Sequence, residues 1–364
     1  MVNVVYIVPC LIKAGPENVL YDIISHLDFS RFHVTVITLK KELNERNIRP
    51  DFEKLGINII SLNTSFLERE FLPFLLAKSI SRRISQFSNV IVHAHTYHPT
   101  IIASYLREFK TITTIHNISL EDFVSLKGPI FGRYMSYRYN NALGKISVSV
   151  AISEYMMDFY KPYCRELKKI VNGVSFHKCY TAECEALLNE KVNKNLKYIV
   201  VVGRLSRRKN VLYIINELMA LKRFDFRCYF VGLGEELENC IKLIGDDSRF
   251  CITGYRSNVQ DYLSAADLFL SASKSEGMPL SVLEALNVGV PALLSDIPPH
   301  REIVHDMNMP SVGLFDLLDG ELSRQIVTYL DESYDGDKIA ERARQVFSAD
   351  VMAVKYENLY ESLV

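Results

Sequence analysis

Nowhere does the chain approach the roughly 18 to 20 uninterrupted apolar residues that a membrane-spanning helix needs. Its first residues, Met-Val-Asn-Val-Val-Tyr-Ile-Val-Pro, lack the basic region that opens a secretory signal and read as a first strand, so a cytoplasmic location is expected. No Cys-x-x-Cys pair occurs. The seven cysteines (Cys10, Cys164, Cys179, Cys184, Cys228, Cys240, Cys251) are scattered and odd in number, and read as reduced, mostly buried thiols rather than a disulfide frame or zinc site. Gly232-Leu-Gly234 lacks the third glycine of a dinucleotide fingerprint and gives no support to hydride chemistry. The one Asp-x-Asp, Asp335-Gly-Asp337, lies in an acidic stretch away from any strand end and reads as a solvated loop, so no metal and no cofactor is expected.

Strong charge is lacking too, since the net value over 364 residues is −1. It conceals an asymmetry: residues 1–175 carry 21 Lys and Arg against 15 Asp and Glu, and residues 176–364 carry 21 against 28. A basic first half in a neutral protein suits an anionic surface, such as a lipid headgroup layer, for that half alone, and no nucleic-acid partner is expected. A hydrophobic content of 48% with 23% charge is that of an ordinary globular protein, and the length suits two domains.

What is present is alternation. Short apolar runs at 4–8, 34–39, 57–62, 90–94, 111–115 and 146–151 are followed by a second series at 198–202, 228–231, 250–253, 267–271 and 291–295. Helix-period segments, such as 211–221 and 259–266, lie between them. Two such series predict an α/β protein of two Rossmann-like, doubly wound parallel-sheet domains, 1–172 and 173–348, facing across a cleft. Apolar positions Val351, Val354, Leu359 and Leu363 predict a last helix, 349–364, that packs back on the first domain.

Ligands of open parallel sheets bind beyond the carboxyl ends of the strands. After the run at 267–271 comes Ser273-Lys-Ser-Glu-Gly-Met-Pro-Leu-Ser-Val-Leu-Glu284, which puts two carboxylates, Glu276 and Glu284, around a helix start. Pro279 suits the first helical position, and the amides of Gly277, Met278 and Leu280 at the positive end of the helix dipole make a seat for a phosphate or diphosphate. Glu284 lies about 7.5 Å into the helix and leans back toward that seat. Glu276 precedes the helix, so the two acids can hold opposite ends of an extended ligand: sugar, diphosphate, ribose. A helix-capping glutamate beside a solvated one is the plain alternative.

Other strand ends add partners. Gly203-Arg204-Leu-Ser-Arg-Arg-Lys209 offers two cations for phosphate oxygens, Arg204 as a fork and Lys209 as a point charge, with Arg207 and Arg208 turned to solvent. His116 and Asn117 end the run at 111–115, where a histidine can donate to a sugar hydroxyl or a developing negative charge. His93 reads as a core histidine, whereas His95 lies nearer the strand end. Gly15, in Lys13-Ala-Gly-Pro-Glu17, follows the first strand and opens a helix, a place where backbone can approach an anion or acceptor.

With these residues together, the chain resembles the family-4 retaining glycosyltransferases of GT-B fold over nearly its whole length. The most specific part is Glu276-Gly-Met-Pro-Leu-Ser-Val-Leu-Glu284, which resembles the family's paired-glutamate motif, followed by Gly289-Val-Pro291 and Ser295-Asp296. The resemblance implies that Glu276 contacts the donor sugar and Glu284 the ribose. It also implies that the backbone of Gly277, Met278, Pro279 and Leu280, with Arg204 and Lys209, holds the diphosphate. His116 resembles the histidine near the transferred sugar, Asn172-Gly-Val174 the family's interdomain junction, and Gly254-Tyr255-Arg256 the segment beside the nucleobase. One departure is Ala14-Gly15 where the family often has Gly-Gly, which narrows the first loop.

The implied reaction is transfer of a hexose or N-acetylhexosamine from a nucleotide sugar, a UDP-sugar foremost, to a saccharide or lipid-linked saccharide in surface polysaccharide synthesis. GDP-mannose as donor and a nucleotide-sugar epimerase of similar fold are the alternatives. Segments 66–83 and 131–139 mix aromatic and aliphatic residues with Lys78, Arg82, Arg83, Arg133 and Arg138, and fit peripheral attachment to the cytoplasmic face of a membrane as well as a core-facing helix with a basic outer side.

Overall fold

A computed structural model describes residues 1–42, 46–175 and 181–364. It divides into two units, residues 1–173 with 349–364, and residues 174–348.

In the first unit seven strands, β1 (Val2–Val8), β2 (Phe32–Thr38), β3 (Asn58–Ser61), β4 (Val90–His95), β5 (Lys110–Ile115), β6 (Val148–Ala151) and β7 (Leu167–Lys169), pair in the order β3-β2-β1-β4-β5-β6-β7. Every pairing is parallel. Helices on both faces leave the central strands no solvent side, which is why β1 and β4 read as apolar runs rather than as alternation. Val5, Ile7, Val92 and Ala94 pack with Ile80 and Ile84 of helix Pro73–Ile84 in one core cluster. Each such aliphatic side chain withdrawn from water contributes about 1.5–3 kcal/mol.

The second unit contains β8 (Lys197–Val202), β9 (Phe226–Val231), β10 (Phe250–Gly254), β11 (Leu268–Ser271), β12 (Ala292–Ser295) and β13 (Val312–Phe315), ordered β10-β9-β8-β11-β12-β13 and again all parallel. In each sheet the strand order reverses beside its first strand, between β1 and β4 and between β8 and β11. Such switch points open a crevice at the carboxyl ends of the strands. Gly15, His95, Arg204 and Glu276 follow or end these four strands.

Three sequence expectations need correction. β7 and β13 carry no long apolar run and escape the pattern; both are sheet edges of three and four residues. Helix Leu280–Asn287 begins one residue later than expected, with the extended Pro279 (φ −75°, ψ 109°) as its cap. The last helix, Ala349–Glu361, belongs to the first unit, and its buried face is Met352, Ala353, Tyr356, Leu359 and Tyr360, whereas Val354, expected on the apolar side, is exposed. Its tyrosines are buried because their hydroxyls find partners: Tyr360 bonds Tyr6 at 2.8 Å and Tyr356 bonds Thr114 at 2.8 Å. Six cysteines are free thiols, four of them buried, and Cys179 lies outside the described residues.

Candidate active site

The loops that leave β8 and β9 remain hydrogen-bonded beyond the strands. Gly203 N–H donates to Val231 O, Leu205 N–H to Leu233 O and Glu236 N–H to Leu205 O. Such close approach needs glycine on one side. A Cβ at Gly232 would stand 1.9 Å from Gly203 O, and one at Gly234 2.1 Å from Leu205 O. The Gly-Leu-Gly fragment is therefore a packing device that fixes the loop carrying Arg204 and Lys209. Gly254, ending β10, forms a bridge with Gly232, which brings the expected nucleobase segment, including half-buried Tyr255, to the same rim.

The loop after β11 meets this rim through Lys274 N–H, which donates to Arg208 O at 2.8 Å. Glu276 is buried and triply held. Lys209 Nζ lies 2.6 Å from Oε1, Arg208 Nη1 2.8 Å from Oε2, and Ser273 Oγ donates to Oε1 at 2.7 Å. Burial favours the neutral acid, yet the adjacent Lys209 and Arg208 charges outweigh it and hold the carboxyl down to about 2. Glu276 is thus an anion at neutral pH, a group that accepts hydrogen bonds and donates none. Behind it, Ser295 Oγ donates to Ser273 O at 2.6 Å and His300 Nδ1 donates to Ser295 O at 2.8 Å. Burial holds His300 down to about 4, so it stays neutral.

Arg208 corrects the sequence expectation, which turned it to solvent. Its guanidinium also donates to Ser275 O at 2.8 Å, and so it joins the site. Arg207 is 88% exposed on its side chain and among the described residues reaches only Glu236. Arg204 is largely exposed, with Nε 3.0 Å from Glu235. Lys209 and Glu276 are brought together, while Arg204 stands at the outer edge of the loop. Gly277, Met278 and Pro279 are buried around the start of helix Leu280–Asn287, on which Glu284 is half-buried. Asp335 is exposed and lies just before helix Gly336–Phe347, which it caps by accepting from Lys338 N–H, and Asp337 lies in the first turn of that helix. Among the described residues, no group of three or more His, Cys, Asp or Glu has the arrangement of a metal site.

In the first unit, His95 ends β4, and His116 follows β5. His95 Nδ1 and His116 Nε2 are 3.0 Å apart. His95 is 1% exposed and His116 half-buried, and burial lowers both, His116 to about 4. His93 is fully buried with both ring nitrogens bonded, Nδ1 to Tyr360 and Nε2 to Thr114. The backbone turns sharply after His95: Thr96 has φ +72°, a conformation β-branched residues rarely adopt. Gly15 is exposed at the start of helix Gly15–Ser25. Two positions further on, Glu17 is buried, which raises its carboxyl to about 7. An acid in a helix first turn reads as a dipole partner, and only the folded environment makes it a titrating group. Asn172 is buried beside Gly173, whose N–H meets Met352 Sδ at 3.1 Å.

Two all-parallel Rossmann-like sheets, with a buried carboxylate and two cations at the switch point of the second, define a GT-B glycosyltransferase architecture. The fold matches that of Anabaena HepE, solved in complex with UDP, at a TM-score of 0.78 and 18% identity, over 99% of this chain and all of that one. Residues 14–177 match the profile Glycosyltransferase Family 4 and residues 196–330 the profile Glycosyl transferases group 1, and the chain belongs to the family-4 glycosyltransferases. It is 22% identical to the O-antigen biosynthesis glycosyltransferase WclY of Escherichia coli, over 99% of this chain and 98% of that protein. A stretch covering 41% of this chain and 40% of the relative is 31% identical to the UDP-Gal:alpha-D-GlcNAc-diphosphoundecaprenol alpha-1,3-galactosyltransferase of Escherichia coli.

Proposed function

We propose that the protein transfers a hexose or N-acetylhexosamine, with retention of configuration, from a UDP-sugar to a saccharide or lipid-linked saccharide acceptor in the synthesis of a bacterial surface polysaccharide. The observation that carries this reading is the buried Glu276 anion paired with Lys209 and Arg208 where β8 and β11 diverge. In this reading Glu276 accepts hydrogen bonds from donor-sugar hydroxyls and Glu284 from the ribose. The backbone of Gly277, Met278, Pro279 and Leu280, with Lys209 and Arg204, holds the diphosphate, and Gly254 and Tyr255 flank the base. Gly15 and His116 serve the acceptor and the transferred sugar, and Asn172 is counted with the substrate-binding residues.

The acceptor oxygen forms its bond to the anomeric carbon on the face from which the diphosphate departs. The bond from that carbon to phosphate breaks, and the hydroxyl proton passes to the leaving phosphate. Fixed cations at the leaving oxygens stabilise charge that develops only as that bond breaks, which is the form of binding that accelerates reaction. No resident metal is required in this scheme.

The apolar residues exposed on the first unit support a lipid-linked acceptor met at the cytoplasmic face of a membrane, and the diphosphoundecaprenol in the name of one relative points the same way. A thermal-shift panel of UDP, GDP, UDP-glucose, UDP-galactose, UDP-N-acetylglucosamine and GDP-mannose tests the donor. A ligand at 100 times its Kd adds about 2.7 kcal/mol. Stabilisation by GDP-mannose alone would overturn the UDP assignment, and an epimer formed from donor without acceptor would overturn transfer.

A further inference from the structure

Two neutral imidazoles that share one short contact must divide their protons: one nitrogen donates and the other accepts. At the 3.0 Å contact between His95 Nδ1 and His116 Nε2 the choice is set by the far side of the His95 ring, where Nε2 is buried and has no hydrogen-bond partner among the described residues. If His116 donated, His95 would have to carry its proton on that Nε2, leaving a buried N–H with no acceptor. Orphaned N–H groups are the rarest of unsatisfied polar groups in native proteins, whereas a bare lone pair against apolar surroundings is better tolerated. A flip of the ring would put Cδ2 in place of Nδ1 and lose the contact to His116. The ring lies against His93 at 4.5 Å, Tyr6 at 6.1 Å and His116 at 5.1 Å between centroids, and His93 is itself fixed through Tyr360 and Thr114.

We infer that His95 is a positioning residue that donates from Nδ1 to His116 and so locks His116 as the Nδ1–H tautomer, presenting a neutral hydrogen-bond donor to the transferred sugar. His116 Nδ1 has no other partner among the described residues, and its proton is the one available to a ligand. The oxygen it meets must then be an acceptor, a sugar hydroxyl oxygen or one gaining negative charge, and a deprotonating role for His116 is excluded. Burial lowers both rings, which keeps the arrangement neutral through the physiological range. The part of this inference that concerns sugar rests on the function proposed above, and the tautomer itself does not.

The test is a long-range 1H–15N correlation spectrum of the ligand-free full chain with 15N-labelled histidine at pH 7.5, the His116 signals being identified by their loss in His116→Gln. The expected pattern at His116 is a protonated Nδ1 with a bare Nε2. In His95→Phe the His116 signals should move toward the average of both tautomers, and in His95→Gln, whose amide can donate, they should return toward the wild-type pattern. Turnover should fall on the order of tenfold or more in His95→Phe at little-changed donor KM, as for other residues that orient a functional histidine, and recover in part in His95→Gln. A protonated Nε2 at His116 in the wild type overturns the inference, as does an unchanged tautomer in a folded His95→Phe. If His95→Phe fails to fold, the wild-type spectrum decides alone. Failure of every nucleotide sugar to support transfer would remove the proposed function while leaving the tautomer assignment standing.

Discussion

Lys209 Nζ and Glu276 Oε1 meet at 2.6 Å with 15% and 6% of their side chains exposed, so the cation assigned to a leaving diphosphate is bonded to the carboxylate assigned to the sugar. A donor that engages both must weaken this contact, and phosphate oxygens compete with Glu276 for the ammonium. The pair is therefore a structural element as well as a candidate catalytic one. Breaking one side of a buried pair strands the other charge, at a cost of about 3–5 kcal/mol. Arg208 remains on Glu276 and reduces that cost. Lys209→Met is expected to lower stability by roughly 2 kcal/mol and turnover on the order of 100-fold. The double variant Lys209→Met/Glu276→Gln should be more stable than the sum of the single effects predicts, because the buried ammonium that Glu276→Gln strands is gone and only the partly exposed Arg208 loses a carboxylate partner. Urea denaturation of the four proteins measures this, and additive effects would show that the contact contributes nothing.

Arg204 and Arg208 should separate in a way their sequence positions conceal. Among the described residues Arg204, which is exposed, bonds only Glu235, a surface pair worth about 0–1 kcal/mol. Arg204→Ala should keep wild-type stability within about 0.5 kcal/mol while lowering kcat/KM for the donor on the order of 100-fold, as loss of a charge-stabilising donor does. Arg208→Ala removes bonds to Glu276 and Ser275 and should lower both stability and donor affinity. Steady-state kinetics and melting curves of the two variants check the contrast, and wild-type turnover in folded Arg204→Ala would refute the assignment of Arg204 to the diphosphate.

The reason Arg208 was illegible in the sequence is geometric. Its neighbour in space is the loop at 273–276, some 67 residues away in the chain, and the Lys274 N–H to Arg208 O bond that joins them has no local signature. Residues that follow strands were legible, because apolar runs such as β1, β4, β8 and β11 mark buried parallel strands and their carboxyl ends must carry any ligand. His95 ends one of these runs. In a central strand covered on both faces every residue of the run is buried, and no alternation tells which side chain turns inward. Leu-Lys-Lys of β7 is a strand only by its pairing with β6, a non-local fact that propensity does not encode.

Acid and base should act on the two units with opposite signs. Glu276 is depressed from 4.5 to about 2, so it adds about 3 kcal/mol that is fully present above pH 5 and is lost as pH falls toward 2. Glu17 is raised from 4.5 to about 7 by burial, so the folded form is favoured while it is protonated, and that advantage is lost as pH rises from 4.5 through 7. Glu17→Gln should therefore match wild type near pH 4 and exceed it by roughly 3 kcal/mol at pH 8. Glu276→Gln should lose most at pH 8 and least near pH 3. Denaturation curves at three pH values read both, and a Glu17→Gln advantage that does not grow with pH would sink the burial argument.

The first unit exposes an apolar surface with little else to explain it. Phe66, Leu67, Phe71, Phe74 and Leu75 come from two short helices, and Ile130, Phe131, Tyr134 and Tyr137 from helix Pro129–Leu143; Ile130 is 87% exposed. Arg138 holds the two groups together by donating to Glu70 O at 2.8 Å and to the Glu70 carboxylate. Helix Pro73–Ile84 does face the core through Ala77, Ile80 and Ile84, but its outward side presents Phe74 and Leu75 in the first turn and Lys78, Arg82 and Arg83 beyond. Apolar groups flanked by cations suit a headgroup layer, where each basic residue adds about 1 kcal/mol near an anionic surface. Co-sedimentation should be stronger with phosphatidylglycerol vesicles than with phosphatidylcholine and should weaken with salt. Ile130→Glu and Phe71→Glu should each reduce binding, and Arg82→Glu/Arg83→Glu should reduce it by more than tenfold while leaving melting behaviour unchanged, since all four side chains are exposed. Binding indifferent to all of these changes would place any membrane contact elsewhere on the molecule.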